Sequence, residues 1–192
     1  MLRSSAVPGR KGLRARRDEP RRRAFSPQGR QAAMIEYSME TEIRIDWSDL
    51  DPLGHVNNLA IMKYMQTARV LYFDRLGISP SGRAAGVGPI MASVSGQFKR
   101  QLRYPGTVKV LTSVFEMKTT SLHMRHHVVD EGGGIAAEGH DVIVVFDFDK
   151  GVKHAIPDGL RRGIEELEGK KKVFAPGAPL RADGKSGSAG SD

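Results

Sequence analysis

The sequence contains no cysteine among its 192 residues. This absence excludes a disulfide framework, a cysteine-ligated zinc site, an iron–sulfur cluster and a catalytic cysteine. No apolar run approaches the roughly 18 residues of a membrane-spanning helix, and no apolar signal-peptide segment follows the basic N-terminus. These absences predict a cytoplasmic protein without a membrane segment.

Excess positive charge is missing from most of the chain. Residues 1–33 hold ten of the 30 basic residues but two of the 22 acidic ones, so they account for the net charge of +8. Prolines and glycines interrupt this segment, and no apolar periodicity runs through it. Residues 1–35 are therefore predicted to be a disordered basic extension. The Gly-, Pro-, Ala- and Ser-rich residues 173–192 are predicted to be a disordered tail, which leaves one domain over residues 36–172.

The basic extension has three interpretations. Its charge is suited to nucleic acid or anionic lipid, although nucleic acid is not expected as a partner. An Arg-rich, acid-poor leader is also typical of an organelle transit peptide, but the prolines and the lack of an amphipathic pattern argue against this. The third interpretation is that translation begins at Met34 or Met39, because the remaining chain is a complete domain by composition.

The apolar pattern predicts one strand, a long helix, four further strands and a short helix. The predicted strands are Met39–Trp47, Ile90–Leu102, Thr107–Lys118, Leu122–Asp130 and Ile135–Asp149. The long helix is predicted to be capped by Asn57 or Asn58 and to run to about Leu76, and the short helix to cover Asp158–Glu168. A Gly-, Ser- and Pro-rich loop is expected over residues 79–89. The long helix is apolar on most sides, so other elements must surround it. This order predicts an α+β fold in which a four-strand antiparallel meander helps to curl a sheet around one central helix.

Three histidines fall on one predicted strand, which raises the question of a metal site. His123 and His127 share a face but lie about 13 Å apart at 3.3 Å per residue, and His126 faces the other way. One metal ion cannot bridge that distance. The three side chains are therefore predicted to be polar or partly exposed strand positions, and no metal ligands are predicted.

The segment from Trp47 to Asn58 concentrates polar residues at the start of the long helix. It includes Asp49, Asp51, His55 and Asn57. A helix N-terminus offers unpaired N–H groups and a positive dipole end. A carboxylate beside such groups can attack a carbonyl, or activate water to do so, while the N–H groups stabilise the oxyanion. From the residue types alone, these side chains are more typical of loop and helix-cap formers than of a catalytic site.

The run from Asp49 to Asn58, before a long apolar helix that ends at Gly77, resembles the hot-dog-fold acyl-CoA thioesterases of the 4-hydroxybenzoyl-CoA thioesterase type. The resemblance covers about residues 38–165. It implies a hot-dog fold, in which a five-stranded antiparallel sheet wraps around a long central helix and subunits pair edge to edge. It further implies a homodimer or homotetramer that hydrolyses an acyl-CoA substrate to a free acid and coenzyme A, with no cofactor beyond the coenzyme A of the substrate.

The resemblance also implies roles for individual residues. Asp51 corresponds to the catalytic nucleophile or general base, His55 lines the same turn, and the backbone N–H groups at Asn57 and Asn58 correspond to the oxyanion donors. The residues implied in substrate binding are Ile61, Met62, Tyr64 and Met65 for the acyl chain, and Lys99, Arg100 and Arg103 for the phosphates of coenzyme A. Relatives often carry Tyr where this chain has Ile61.

Two other functions are compatible with the same fold. Hot-dog enoyl-CoA hydratases use an Asp and a His five residues apart, whereas Asp49 and His55 are six apart, which disfavours that chemistry. A hot-dog domain can also bind acyl-CoA without catalysis, as a sensor whose basic arm contacts DNA. No helix-turn-helix pattern occupies residues 1–33, and Asp51 is retained, so hydrolysis is the prediction that fits best.

Overall fold

The computed structural model describes residues 34–78 and 86–177. Residues 1–33 of the predicted extension, 79–85 of the loop predicted at 79–89 and 178–192 of the predicted tail lie outside the described residues. The predicted end of that loop is wrong, because residues 87–89 belong to a strand that begins at Val87. The elements in chain order are β1 (Ile35–Tyr37), β2 (Met39–Arg44), α1 (Asn58–Arg75), β3 (Val87–Phe98), β4 (Thr107–Met117), β5 (Ser121–Asp130), β6 (Ile135–Asp147), β7 (Val152–Lys153), α2 (Asp158–Glu168) and β8 (Lys172–Phe174). None of the helices in these two ranges is long and apolar enough to cross a membrane.

The main sheet has the strand order β2-β4-β5-β6-β3, with every pair antiparallel, and β7 pairs with the end of β6. Only β4, β5 and β6 form a meander, so the predicted four-strand meander is wrong. Tight turns join these three strands, whereas residues 99–106 carry the chain away from β3 to a non-adjacent position in the sheet. As a result, β3 becomes an edge strand beside β6. The five-stranded antiparallel sheet that curls around a helix confirms the predicted hot-dog fold.

Helix α1 begins and ends where the side chains predict. Asn57 is the N-cap, and its Oδ1 accepts the N–H of Leu59 at 2.9 Å. Gly77 lies just past the end of the helix with φ 75°, a left-handed conformation that glycine adopts without strain. The buried face of α1 packs against the inner face of the sheet through two apolar clusters, which together include Ala60, Ile61, Tyr64, Met65, Ala68, Tyr72 and Phe73.

Two glycines bring α1 close to the sheet. Gly96 in β3 and Gly139 in β6 are directly paired across the two strands. A Cβ added at Gly96 would lie 2.9 Å from the sulfur of Met62, and one added at Gly139 would collide with the sulfur of Met65. The two methionine side chains therefore occupy space that exists because neither strand carries a side chain there.

A buried polar network also connects α1 to the sheet. Asp141 Oδ2 accepts a hydrogen bond from Arg69 Nη1 at 2.5 Å and lies 3.0 Å from His126 Nε2. The other ring nitrogen of His126 is 3.0 Å from Thr112 Oγ1. Thr112, His126 and Asp141 lie on β4, β5 and β6, and His126 is completely buried. His126 is thus a polar strand position as predicted, but it is completely buried rather than partly exposed, because polar partners on the inner face of the sheet satisfy its ring nitrogens.

The chain ends of the described domain pair with each other. Strand β1 forms an antiparallel ribbon with β8, and Ile35 and Tyr37 pack on Leu111 and Val129 at the outer face of the sheet. The predicted domain boundaries at residues 36 and 172 fall inside this ribbon. The folded domain therefore extends past both predicted boundaries, because β1 at its N-terminal end pairs with β8 at its C-terminal end.

Candidate active site

The loop before α1 is closed by its own backbone. Residues Trp47–Asp49 form a 3₁₀ turn with a capping box, in which Asp46 and Asp49 each accept a backbone N–H from the other end of the turn. A bridge between Leu50 and Val56 then closes the tip of the loop, and the Asp51 N–H donates to the His55 carbonyl at 2.8 Å. The loop therefore holds Asp51 in a defined place.

One oxygen of the Asp51 carboxylate is used by the loop itself. Oδ1 accepts the backbone N–H of Leu53 at 2.8 Å and that of His55 at 3.2 Å. Within the described ranges no hydrogen bond reaches the other oxygen, Oδ2, and the residue is partly exposed. The carboxylate is thus oriented through one oxygen while the other is accessible to a ligand or water.

The two asparagines at the start of α1 have different roles. The backbone N–H of Asn57 donates to the Asp49 carbonyl at 2.8 Å, so the prediction that this group is an oxyanion donor is wrong. Asn58 is the first residue of α1. Its N–H has no partner inside the helix, because the first N–H groups of any helix lack one. The positive end of the helix dipole lies at the same place.

A cavity of about 340 Å³ brings several predicted residues together. Its walls contain six of them, Asp51, His55, Asn58, Ile61, Lys99 and Arg100. The Nε2 atom of His55 is buried and has no hydrogen-bond partner in the described structure. The cavity thus combines a carboxylate, an imidazole and a helix N-terminus within one space.

Five other predicted residues, Asn57 among them, do not line this cavity. Met62 and Met65 fill the space beside the two glycines, and Tyr64 is buried with its hydroxyl bonded to Asp49. Arg103 is exposed and is absent from the cavity wall. In the described chain, Met62, Tyr64 and Met65 thus contact the sheet and the loop, and their predicted role in substrate binding stays a prediction.

Lys99 and Arg100 extend the site toward a second cavity of about 460 Å³, which both residues also line. Lys99 forms an ion pair with Glu138, and Arg100 lies 3.6 Å from a carboxylate oxygen of Asp130. Their side chains remain 41% and 63% exposed. A cationic path therefore leads away from Asp51 along the end of β3.

Sequence reasoning missed three cavity residues, namely Val56, Phe98 and Gln101. Phe98 is the last residue of β3 and is 47% exposed, which is unusual for a large apolar side chain in a strand. The available signal was the basic pair Lys99 and Arg100, because Phe98 and Gln101 are their direct neighbours in the sequence. Their position beside Asp51 depends on the pairing of β3 with β6.

The histidines on β5 do not form a metal site. Across residues 34–78 and 86–177, no group of three or more His, Asp or Glu side chains is placed to hold a metal ion. His123 instead packs at ring distances of 5.9 Å from Phe115 and 5.5 Å from His140 on the outer face of the sheet. The pKa of His127 is lowered by burial.

Comparisons with known proteins agree with this architecture. A family model described as the thioesterase-like superfamily matches residues 45–164. A thioesterase from Thermus thermophilus, solved in complex with coenzyme A and zinc, is 30% identical, with 69% of this chain and 96% of that chain covered at a TM-score of 0.61. A protein from Pseudomonas aeruginosa named as a putative thioesterase is also 30% identical, with 67% and 98% covered at a TM-score of 0.61.

A third solved structure, a gentisyl-coenzyme A thioesterase, is 26% identical, with 66% of this chain and 99% of that chain covered at a TM-score of 0.58. No curated protein matches the chain in sequence. The family match spans more than half of the chain and includes the loop, α1 and all five strands from β3 to β7. The chain therefore belongs to the thioesterase-like superfamily, as a thioester hydrolase with the hot-dog fold.

Proposed function

We propose that the protein hydrolyses acyl-CoA thioesters in the Asp51 cavity. The observation that carries this proposal is a carboxylate with one unbonded oxygen, among the described residues, that shares a cavity with the first N–H of α1. Hydrolysis of a thioester needs a group that attacks or activates water, and a donor for the charge that develops on the carbonyl oxygen. The Asp51 cavity offers both.

In the proposed reaction the thioester carbonyl oxygen accepts the N–H of Asn58. If Asp51 is a general base, it takes a proton from water as the water oxygen bonds to the carbonyl carbon; the carbon–sulfur bond then breaks and the thiolate recovers the proton. If Asp51 is the nucleophile, its Oδ2 bonds to the carbonyl carbon while the carbon–sulfur bond breaks and the thiolate leaves. Water then attacks the Asp51 carbonyl carbon of the resulting anhydride, which releases the acyl group as the free acid, and a proton from that water goes to the thiolate. A single turnover in ¹⁸O-labelled water separates the routes, because only the second introduces the label into Asp51.

Coenzyme A is the proposed leaving group. The similar Thermus thermophilus thioesterase was solved with coenzyme A, and the half-exposed cations of Lys99 and Arg100 lie on the path that leads from Asp51. Phosphates prefer such basic groups. The predicted role of Arg103 and the cytoplasmic location remain predictions from the sequence.

The edge strand β3 supports a proposed homodimer. Val94 and Phe98 pair with Asp141 and Ala137, whose side chains are buried on the α1 side, yet both are nearly half exposed. A 12-residue edge strand is a template for a second strand. A second copy that pairs there would cover both side chains and add a wall beside the Asp51 cavity, because Phe98 lines that cavity.

The test is thiol release from a panel of acyl-CoAs, from acetyl to palmitoyl and including benzoyl and phenylacetyl. The protein adds no background because it has no cysteine. We expect Asp51→Asn to lose at least about a hundredfold in kcat while it remains folded, since the amide keeps an oxygen for the loop hydrogen bonds. Asp74→Asn, an exposed substitution on α1 away from the cavity, is the matched control and should retain activity.

Three outcomes would contradict the proposal. Full activity in Asp51→Asn would remove Asp51 from the mechanism. Hydration of crotonyl-CoA without thiol release would instead support the hydratase alternative. No substrate turnover across the panel by folded wild-type protein would exclude these acyl-CoAs as substrates.

A further inference from the structure

Asp49 connects the parts of the proposed active site, although its side chain does not line the cavity. Its Oδ2 accepts hydrogen bonds from the Tyr64 hydroxyl at 2.6 Å and from the backbone N–H of Asp46 at 3.0 Å. Its carbonyl oxygen accepts the N–H of Asn57 at 2.8 Å. One residue is thus bonded to the 3₁₀ turn, to the N-cap of α1 and to the second turn of α1.

The Tyr64 hydroxyl is suited to a fixed contact. Tyr64 is 3% exposed, and burial, followed by the hydrogen bond and charge of Asp49, raises the pKa of its phenol. The hydroxyl therefore stays protonated over the whole range in which activity would be assayed. A hydrogen bond from a hydroxyl to a carboxylate is short and about twice as strong as one between neutral groups.

The position of Asp51 depends on bonds at the ends of its loop. Residues 50–56 are closed by the bridge between Leu50 and Val56, so the closed tip shifts relative to α1 only if its ends move. Asp49 is the residue immediately before that closed segment. Its bonds to Tyr64 and Asn57 attach this end of the loop to α1.

We propose that Asp49 and Tyr64 form a positioning pair that holds the Asp51 carboxylate in register with the N–H of Asn58. Neither residue touches the substrate, and both act through the loop. The inference rests on the proposed function, since the register matters for turnover only if Asp51 acts on the thioester. Displacement of a reacting group by about 1 Å can cost on the order of a hundredfold in rate.

Two matched Tyr→Phe variants on one helix test the pair. Tyr64→Phe removes the hydroxyl that bonds Asp49. Tyr72→Phe is the control, because Tyr72 is completely buried on α1 and donates to Glu168 at 2.7 Å, away from the loop. We expect kcat of Tyr64→Phe to fall at least about tenfold with KM changed less than about twofold. Tyr72→Phe should keep the wild-type kcat, even if it lowers the urea midpoint by as much as Tyr64→Phe does.

The chain provides its own spectroscopic reporter for this experiment. Trp47 is the single tryptophan, lies two residues before Asp49 in the same 3₁₀ turn and is 73% exposed. Its fluorescence emission and anisotropy therefore report on the loop without labelling. We expect both to change in Tyr64→Phe and in Asp49→Asn, and to stay unchanged in Tyr72→Phe.

A double-mutant cycle completes the test. If the two residues act as one pair, Asp49→Asn combined with Tyr64→Phe should reduce kcat no more than the stronger single variant. Three results would overturn the pair. The first is a double variant whose loss in kcat is the product of the two single losses. The second is an equal loss of kcat in Tyr72→Phe, and the third is wild-type kcat and fluorescence in Tyr64→Phe. Failure of the proposed function gives a different result, namely an inactive wild-type protein or an active Asp51→Asn variant.

Discussion

Asp141 shows at the scale of one residue how a buried charge is stabilised by its neighbours. Burial acts to raise the pKa of its carboxyl, but the hydrogen bonds and charges of His126 and Arg69 outweigh burial, so the pKa lies below its ordinary value. A carboxyl whose pKa is lower in the folded state stabilises the fold above its unfolded pKa of about 3.9. That contribution is lost as the pH falls through the folded pKa.

Asp141→Asn is therefore expected to destabilise the protein by about 3–5 kcal/mol at pH 7, because it leaves the Arg69 cation without its buried partner. The difference between the variant and wild type should begin to shrink below about pH 4, where the Asp141 carboxyl of the unfolded chain becomes protonated, and should disappear as the pH falls through the lower pKa of the folded state. Urea unfolding followed by circular dichroism between about pH 3 and pH 7 measures both effects. Asp149→Asn is the control, because Asp149 is exposed and lies only eight residues after Asp141 in the sequence. A pH-independent difference would show that charge at Asp141 is not the cause.

The sequence predicted the roles of some residues in the proposed active site and missed those of others. Asp51 and Asn58 could be proposed because the run from Asp49 to Asn58 resembles a known family, whereas the residue types alone favoured loop and helix-cap formers. The bonds of Tyr64 to Asp49 and of Asn57 to the Asp49 carbonyl join residues 15 and 8 positions apart. Such contacts depend on the path of the loop, which no local pattern in the sequence specifies.

At the scale of elements, the close contact between α1 and the sheet depends on two glycines, which have no side chain to separate the helix from the strands. Gly139 lies directly under the buried sulfur of Met65, and Gly96 lies under that of Met62. Because Met65 is completely buried, it has no free space into which it can move. Met62 is partly exposed and can turn aside.

Gly139→Ala is expected to lower the free energy of unfolding by about 1–3 kcal/mol, the usual effect of an extra methyl group in a packed core. Gly96→Ala should have a smaller effect, because the flexible Met62 side chain yields. Gly159→Ala in α2 is the opposite control, since its Cβ meets nothing within 4 Å and alanine favours a helix by about 1 kcal/mol. Urea denaturation ranks the three variants, and equal stability of Gly139→Ala and wild type would contradict this account of the packing.

The elements could be predicted from the sequence better than their arrangement. The predicted long helix, capped by Asn57 or Asn58 and ending at about Leu76, lies within one residue of α1 at each end, because an asparagine cap and a following glycine mark its ends. The position of β3 was missed, since an antiparallel partner is chosen by the curvature of the whole sheet and by the connection at residues 99–106. The bulge at Met91 and Ser93 also changes which side chains of β3 face α1.

At the scale of the whole molecule, the main sheet has two edge strands, β2 and β3. Tyr37, just before β2, lies in the ribbon that β1 forms with β8, and this ribbon packs on the outer face of the sheet. Strand β3 is partly or fully exposed along its entire length. Natural proteins rarely leave a long apolar edge unpaired. The proposed dimer therefore belongs at β3, where it would also add a partner beside the Asp51 cavity.

Val94→Lys tests this arrangement. A lysine in the middle of β3 places a charge against its own copy across a symmetric edge, so we expect the variant to sediment near the single-chain mass of 21.0 kDa while wild type sediments at twice that mass or more. Val173→Lys introduces the same charge at a similarly exposed strand position in the terminal ribbon, and it should leave assembly unchanged. A monomeric wild type, or loss of assembly in Val173→Lys alone, would contradict pairing through β3. If the variant is also less active, the partner chain contributes to the site, because Val94 itself does not line the Asp51 cavity.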